Sequence, residues 1–213
     1  MNVDIKEYND FLTAEQCNLF IMAALPNLIS YYDSDDDSSK YRFAAGYFLE
    51  RKYAPSNHLN LNTLIKKINF EYANLRKKVE EISGFPENNQ EAANIIRYGT
   101  GGEYKKHKDA SSPEDLKYDE YPHAGSRKKT CLIYLNDDFE GGETHFPELN
   151  VKIKPRLGKA VVWNNVHEDN SLIEESVHAG LPVLSNSKWI ISIWIREKSF
   201  FKESPPVKTV PHE

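Results

Sequence analysis

Cysteine is scarce in this chain: Cys17 and Cys131 are its only two among 213 residues. Two thiols cannot build a disulfide framework or a four-thiolate zinc site, so a reducing compartment is the expected setting. Long hydrophobic runs are also missing. Stretches such as Phe20 to Leu25 and Leu132 to Leu135 fall far short of the roughly 20 residues a bilayer crossing needs. The first residues, Met1-Asn2-Val3-Asp4, place an acid where a signal peptide has basic residues and an apolar run, which predicts a cytoplasmic protein with no membrane partner. Excess positive charge is absent too: Lys and Arg number 27 against 32 Asp and Glu, a net charge of −5. That balance argues against nonspecific nucleic-acid binding, which uses a basic surface to displace counterions from phosphates. Gly101-Gly102 and Gly141-Gly142 lack the Gly-Lys-Ser/Thr sequel of a phosphate loop and read as turns.

What is present suffices for one domain. A chain of this mass can bury about 70% of its unfolded surface, although the hydrophobic fraction is only 39% and the mean hydropathy −0.64. Thr13-Ala14-Glu15-Gln16 reads as a capping box that starts a helix, with Leu19, Phe20, Ala23 and Ala24 on one face. Leu61, Leu64, Ile65, Ile68, Tyr72, Leu75, Val79 and Ile82 fall at helical spacing, and Gly84 and Pro86 end that pattern. Between them lie an acidic, Ser-rich loop, Asp33 to Ser39, and an aromatic-rich stretch, Tyr41 to Leu49, expected as an early strand.

From about Ala92 the texture changes to short runs of Ile, Val, Tyr and Trp between turn residues. Strands are expected near 93–98, 103–106, 129–135, 143–146, 151–153, 160–163, 174–178 and 189–195. Several short strands after two helices predict an α+β fold: an antiparallel barrel or jelly roll, with the helices packed on one sheet. The expected division is a single domain over 1–200, with helical support over about 11–84 and the β core over about 92–198. Ala110 to Ser126 is aperiodic and acidic and reads as a lid loop. Residues 201–213, with Pro205, Pro206 and Pro211, read as an extended, poorly ordered tail, which could also offer a polyproline II ligand to a groove.

Two His-x-acid pairs, His107-Lys108-Asp109 and His167-Glu168-Asp169, each place an imidazole and a carboxylate on one face of a strand. Such a pair supplies two facial ligands for Fe(II), and the third must come from elsewhere in the barrel. His178 follows Asp169 too closely to cross a barrel and return, whereas its distance from Asp109 leaves room for several strands. The expected metal site is therefore His107, Asp109 and His178, with His167 on a surface loop. His145 should point away from Thr144, its strand neighbour. Taken alone, Lys188 reads as a solvent-facing strand lysine, Tyr104 and Trp194 as core aromatics, and Cys131 as a small core residue.

Taken together, Tyr98 through Asp109, Arg127 through Leu135, Gly141-Gly142-Glu143-Thr144, His178-Ala179-Gly180 and Lys188 through Arg196 resemble the prolyl 4-hydroxylase family of Fe(II)- and 2-oxoglutarate-dependent dioxygenases. The resemblance covers nearly the whole chain and implies a double-stranded β-helix (jelly roll) with supporting N-terminal helices. It further implies that Lys188, ten residues past His178, binds the distal carboxylate of 2-oxoglutarate, with Tyr98 and Thr144 as hydroxyl donors to the same cosubstrate. Tyr104, Arg127 and Trp194 match positions on the substrate side. The implied reaction is hydroxylation of peptidyl proline with dioxygen as cosubstrate and ascorbate as reductant, coupled to oxidative decarboxylation of 2-oxoglutarate to succinate and CO2. Asp109 disfavours halogenation, because halogenating relatives lack that carboxylate. Departures are Lys108, where many relatives have an aromatic residue, and the acidic loop Glu114 to Glu120. Hydroxylation of another residue or of a free amino acid, and a non-catalytic metal- or peptide-binding module, stay open as alternatives.

Overall fold

The computed structural model describes residues 3–30, 44–49 and 59–201. The expected acidic loop at Asp33 to Ser39, the start of the aromatic stretch at Tyr41 and the tail beyond Phe201 lie outside those residues. Helix α1 (Ala14–Ala24) starts where the sequence predicts. Thr13 accepts from the Gln16 amide at 3.2 Å while the Gln16 side chain accepts from the Thr13 amide at 3.0 Å, satisfying two backbone donors that a bare helix end leaves unpaired. Helix α2 (Leu59–Ser83) buries Ile68, Tyr72, Leu75 and Val79 along one face. It stops at Gly84, whose φ of +74° ends the helical path.

The strands are β1 (Ile5–Tyr8), β2 (Ile29–Ser30), β3 (Ala45–Leu49), β4 (Ala93–Tyr98), β5 (Tyr104–His107), β6 (Arg127–Tyr134) and β7 (Glu140–Gly141). After these come β8 (Thr144–Phe146), β9 (Val151–Ile153), β10 (Ala160–Asn164), β11 (His178–Gly180), β12 (Val183–Ser185) and β13 (Lys188–Arg196). A seven-stranded sheet runs β1-β10-β6-β13-β4-β3-β2, and a four-stranded sheet runs β5-β11-β8-β9, with β12-β7 as a small third pair. Every pairing in both large sheets is antiparallel. This is the α+β jelly-roll arrangement expected, with both helices on the outer face of the larger sheet.

Period-two alternation explains why one sheet serves two cores. Ile95, Ile133 and Ile191 face the helices and pack with Phe20, Leu75 and Val79. Their neighbours Ile96, Leu132 and Ile190 face the second sheet and pack with Phe146, Val161 and Trp163. Each such side chain contributes about 1.5–3 kcal/mol by leaving water.

Several boundaries differ from expectation. Residues 174–178 are not one strand: Glu174–Ser176 forms a 3-10 turn in which the Ser176 hydroxyl donates to the Ile173 carbonyl at 2.6 Å, and β11 begins only at His178. Adjacent acids at Glu174 and Glu175 favour a solvated turn over a buried ladder. The strands β1, β2, β7 and β12 were not signalled by pattern, because they are short and, in β1, carry charges at two central positions. The 110–126 segment contains two short 3-10 turns, Leu116–Tyr118 and Pro122–Ala124. No helix among the described residues is long and apolar enough to cross a membrane.

Candidate metal centre

Between the sheets, β5 and β11 pair with His107 directly opposite His178. The same sheet geometry that aligns their backbones brings the two imidazole centroids to 4.3 Å. Asp109 follows β5 by two residues and turns its carboxylate toward both rings. His107 Nε2 lies 3.5 Å from Asp109 Oδ1, and His178 Nε2 lies 3.6 Å from Asp109 Oδ2. Ligand atoms from all three lie within 4.8 Å of one another.

The hydrogen bonds decide which ring nitrogens face the centre. His107 Nδ1 is 2.7 Å from the Lys105 carbonyl and His178 Nδ1 is 2.9 Å from the Ser176 carbonyl. A carbonyl oxygen only accepts, so each Nδ1 carries a hydrogen and each ring turns its Nε2 toward Asp109. Burial pushes the His178 pKa down to about 4, with His107 adding to the fall against the opposing pull of Asp109 and Ser176. Burial alone would raise the Asp109 pKa, but His178, His107 and Thr130 hold it well below the usual carboxylate range. Two imidazole Nε2 atoms and an ionised carboxylate thus converge on one point. This donor set fits a divalent metal of the facial two-His, one-carboxylate type. Thr130 donates to Asp109 Oδ2 at 2.6 Å and in turn accepts from Asn165 at 2.9 Å, orienting the carboxylate as outer hydrogen bonds do at metal sites.

A second cluster lies along the same cavity. Lys188, Ile190, Ser192 and Trp194 alternate inward from β13, opposite Ile96 and Tyr98 of β4 and Thr130 and Leu132 of β6. Lys188 is 2% exposed, and its ammonium donates to the Gly142 carbonyl at 2.6 Å. Burial pushes its pKa down to about 7, against a smaller opposing effect of Glu143. Its Nζ lies 5.4 Å from the Tyr98 ring centre and 5.5 Å from that of Tyr134. A buried ammonium with one named acceptor for three donors is a costly arrangement that a carboxylate would relieve. Thr144 shares this wall through a 2.6 Å hydrogen bond with Tyr134.

The structure therefore brings His107, Asp109, His178, Lys188, Tyr98, Thr144, Tyr104 and Trp194 to one cavity. Tyr104 stacks on His107 with centroids 3.5 Å apart. Arg127 stands just outside. Its guanidinium clasps Glu91 through Nε at 2.7 Å and Nη2 at 2.9 Å, donates to the Asp109 carbonyl at 3.2 Å, and lies 4.0 Å over the Trp194 ring. His167 is on the loop after β10 and is not among the clustered ligands. His145 is turned away from the cavity that Thr144 lines. Pattern reading missed Thr130, Tyr134 and Glu91. The inward alternation of Thr130, Leu132 and Tyr134 on β6 carried a signal for the first two, whereas Glu91 precedes β4 and carried none.

Residues 93–196 match the family described as the 2OG-Fe(II) oxygenase superfamily. Over just under half of its length the chain is similar to that superfamily. It is 38% identical over 117 residues to an Acanthamoeba polyphaga mimivirus protein named as a prolyl 4-hydroxylase, covering 54% of this chain and 48% of that one. It is 26% identical over 212 residues to Arabidopsis thaliana prolyl 4-hydroxylase 9, covering 90% of this chain and 68% of the other. The chain thus spans about half the length of the mimivirus relative and about two thirds of the plant one. Among solved structures, the viral collagen prolyl hydroxylase of Paramecium bursaria Chlorella virus-1 superposes with a TM-score of 0.61 at 28% identity, covering 90% of this chain and 95% of that one. The superfamily match and the His-Asp-His cluster together imply Fe(II) and 2-oxoglutarate.

Proposed function

We propose that this oxygenase hydroxylates peptidyl proline, with His107, Asp109 and His178 holding Fe(II). The observation that carries the oxygenase chemistry is the convergence of two imidazole Nε2 atoms and an ionised carboxylate beside a buried lysine. Proline as the target is supported by relatives named as prolyl 4-hydroxylases. Bound iron with 2-oxoglutarate and dioxygen supplies the oxidising equivalent, releasing succinate and CO2, with ascorbate as the reductant that maintains the metal.

The chain's own residues bind and orient. Two imidazoles and one carboxylate would hold the metal and leave positions open for the cosubstrates. Lys188 holds the distal carboxylate of 2-oxoglutarate, and Tyr98 and Thr144 align it by hydroxyl contacts. Tyr104 and Trp194 present ring faces to a proline. Arg127 keeps Trp194 and the Asp109 backbone in place on the substrate side of the site. The apolar wall of Ile96, Leu132 and Ile190 limits water in the cavity.

The test is incubation of the protein with iron, 2-oxoglutarate, ascorbate and a panel of proline-containing peptides, reading succinate and the peptide mass. Succinate with hydroxylated proline is expected, abolished in Asp109→Ala and retained in His167→Ala. Oxygen gained only on lysine would overturn the prolyl assignment. Loss of turnover in His167→Ala with survival in Asp109→Ala would overturn the metal assignment.

A further inference from the structure

A cavity of about 710 Å³ opens beside the metal cavity, and Trp194 lines both. Its walls carry Phe48 of β3, Tyr72 of α2, Tyr121 of the 110–126 loop, and Phe200 and Phe201 after β13. Tyr121 packs on Phe200 at a centroid distance of 4.7 Å, so the loop is seated against the chain that leaves β13. Two guanidiniums secure the same seat. Arg196, 1% exposed, donates to the Gly125 carbonyl at 2.9 Å, to Asp119 at 3.0 Å and to Glu91. Glu91 also accepts from Nε and Nη2 of Arg127.

The charges on this wall are unequal in their partners. Arg127 and Arg196 are taken up by Glu91 and Asp119, and neither presents a free cation to the cavity. Glu120, exposed on the same wall, has no cationic partner among the described residues, and its one named contact is the Tyr121 hydroxyl at 2.7 Å. An aromatic cavity with a single uncompensated carboxylate complements a cation on an apolar stem. Ring faces attract an ammonium or guanidinium and cover its methylenes, and the carboxylate fixes where the charge sits.

We infer that this cavity receives a lysine or arginine flanking the target proline of an extended peptide, with Glu120 as the specificity-determining residue. Naming proline as the neighbour rests on the hydroxylase reading above; the cation site rests on the cavity itself. Glu120 touches neither the metal ligands nor the Glu91 network, so its substitution changes the charge of the wall without dismantling it.

The test uses one proline-rich peptide synthesised with Lys, Gln or Glu on both sides of the proline. Dissociation constants are measured by fluorescence anisotropy for the full chain and for Glu120→Gln, Glu120→Lys and Glu114→Lys. The Lys peptide should bind the unaltered chain about five-fold more tightly than the Glu peptide at low salt, with the ratio shrinking as salt is added. Glu120→Gln should level the three peptides, Glu120→Lys should invert their order, and Glu114→Lys, the same charge change elsewhere on the loop, should leave it standing. A ratio unmoved by Glu120→Lys, or moved equally by Glu114→Lys, overturns the inference. Succinate and peptide mass are followed in parallel. Charge-selective binding without hydroxylation would overturn the hydroxylase reading alone, and hydroxylation indifferent to flanking charge would overturn the cation site alone.

Discussion

Lys188 shows how much a single side chain can carry once the fold has placed it. In solution its amine would be charged at any physiological pH, but between the sheets burial draws its pKa down to about 7. A bound carboxylate favours the ammonium, so binding 2-oxoglutarate above that pH takes up a proton. The expected outcome is a dissociation constant that is level below about pH 7 and rises by up to about tenfold per pH unit above it. Titration calorimetry in buffers of different ionisation enthalpy should show the proton uptake. Lys188→Arg should bind more weakly through altered geometry but without the pH dependence, because a guanidinium stays charged. The sign for stability is separate. The unfolded lysine keeps its proton to about 10.5 while the folded one loses it near 7, so this group makes the ligand-free protein more stable as pH rises between those values. Of this behaviour, the sequence shows only a lysine at the start of an apolar run; burial, and hence the shift, comes from the facing strands.

At the scale of elements, the loop between β9 and β10 fastens the N-terminal segment to the larger sheet. The Leu12 amide donates to the Gly158 carbonyl at 3.0 Å, and the Gly158 amide donates to the Tyr134 carbonyl at 2.9 Å. Gly158 has φ of +72°, and a Cβ there would run into the Leu12 carbonyl. Gly158→Ala therefore combines an unfavourable backbone conformation with a steric clash, and should cost about 2 kcal/mol or more. Thr13→Ala, which removes one half of the capping box a few residues away, should cost about 1 kcal/mol. Urea unfolding would check both as falls in midpoint at constant slope. The helices were legible because their caps and faces are local: Thr13-x-x-Gln16 and the Ile68, Tyr72, Leu75, Val79 stripe need no knowledge of the rest of the chain. Strands β1, β7 and β12 were not, since two to four residues of mixed character become strands only where a partner edge awaits them.

For the whole molecule, the metal centre ties the smaller sheet together, since His107 and His178 sit on neighbouring strands and Asp109 on the loop that leaves one of them. A metal that binds only the folded chain stabilises it by about 2.7 kcal/mol at a hundredfold excess over its dissociation constant, which for a chain of this size corresponds to roughly 5–10 °C. Calorimetry should show that fall in melting temperature when a chelator is added to the iron- or manganese-loaded protein, and Asp109→Ala should melt at the lower temperature with or without chelator. By itself the sequence determined the α+β class, both helices and most of the longer strands and singled out the His107-Lys108-Asp109 pair, because capping, periodicity and the His-x-Asp spacing are short-range properties of the chain. Only the tertiary structure decided that Thr130 and Asn165 orient Asp109, that Glu91 joins Arg127 to Arg196, and that Glu120 has no cationic partner among the described residues. Those relations join residues far apart in the chain, and a carboxylate becomes paired or unpaired only when folding brings its neighbours to it.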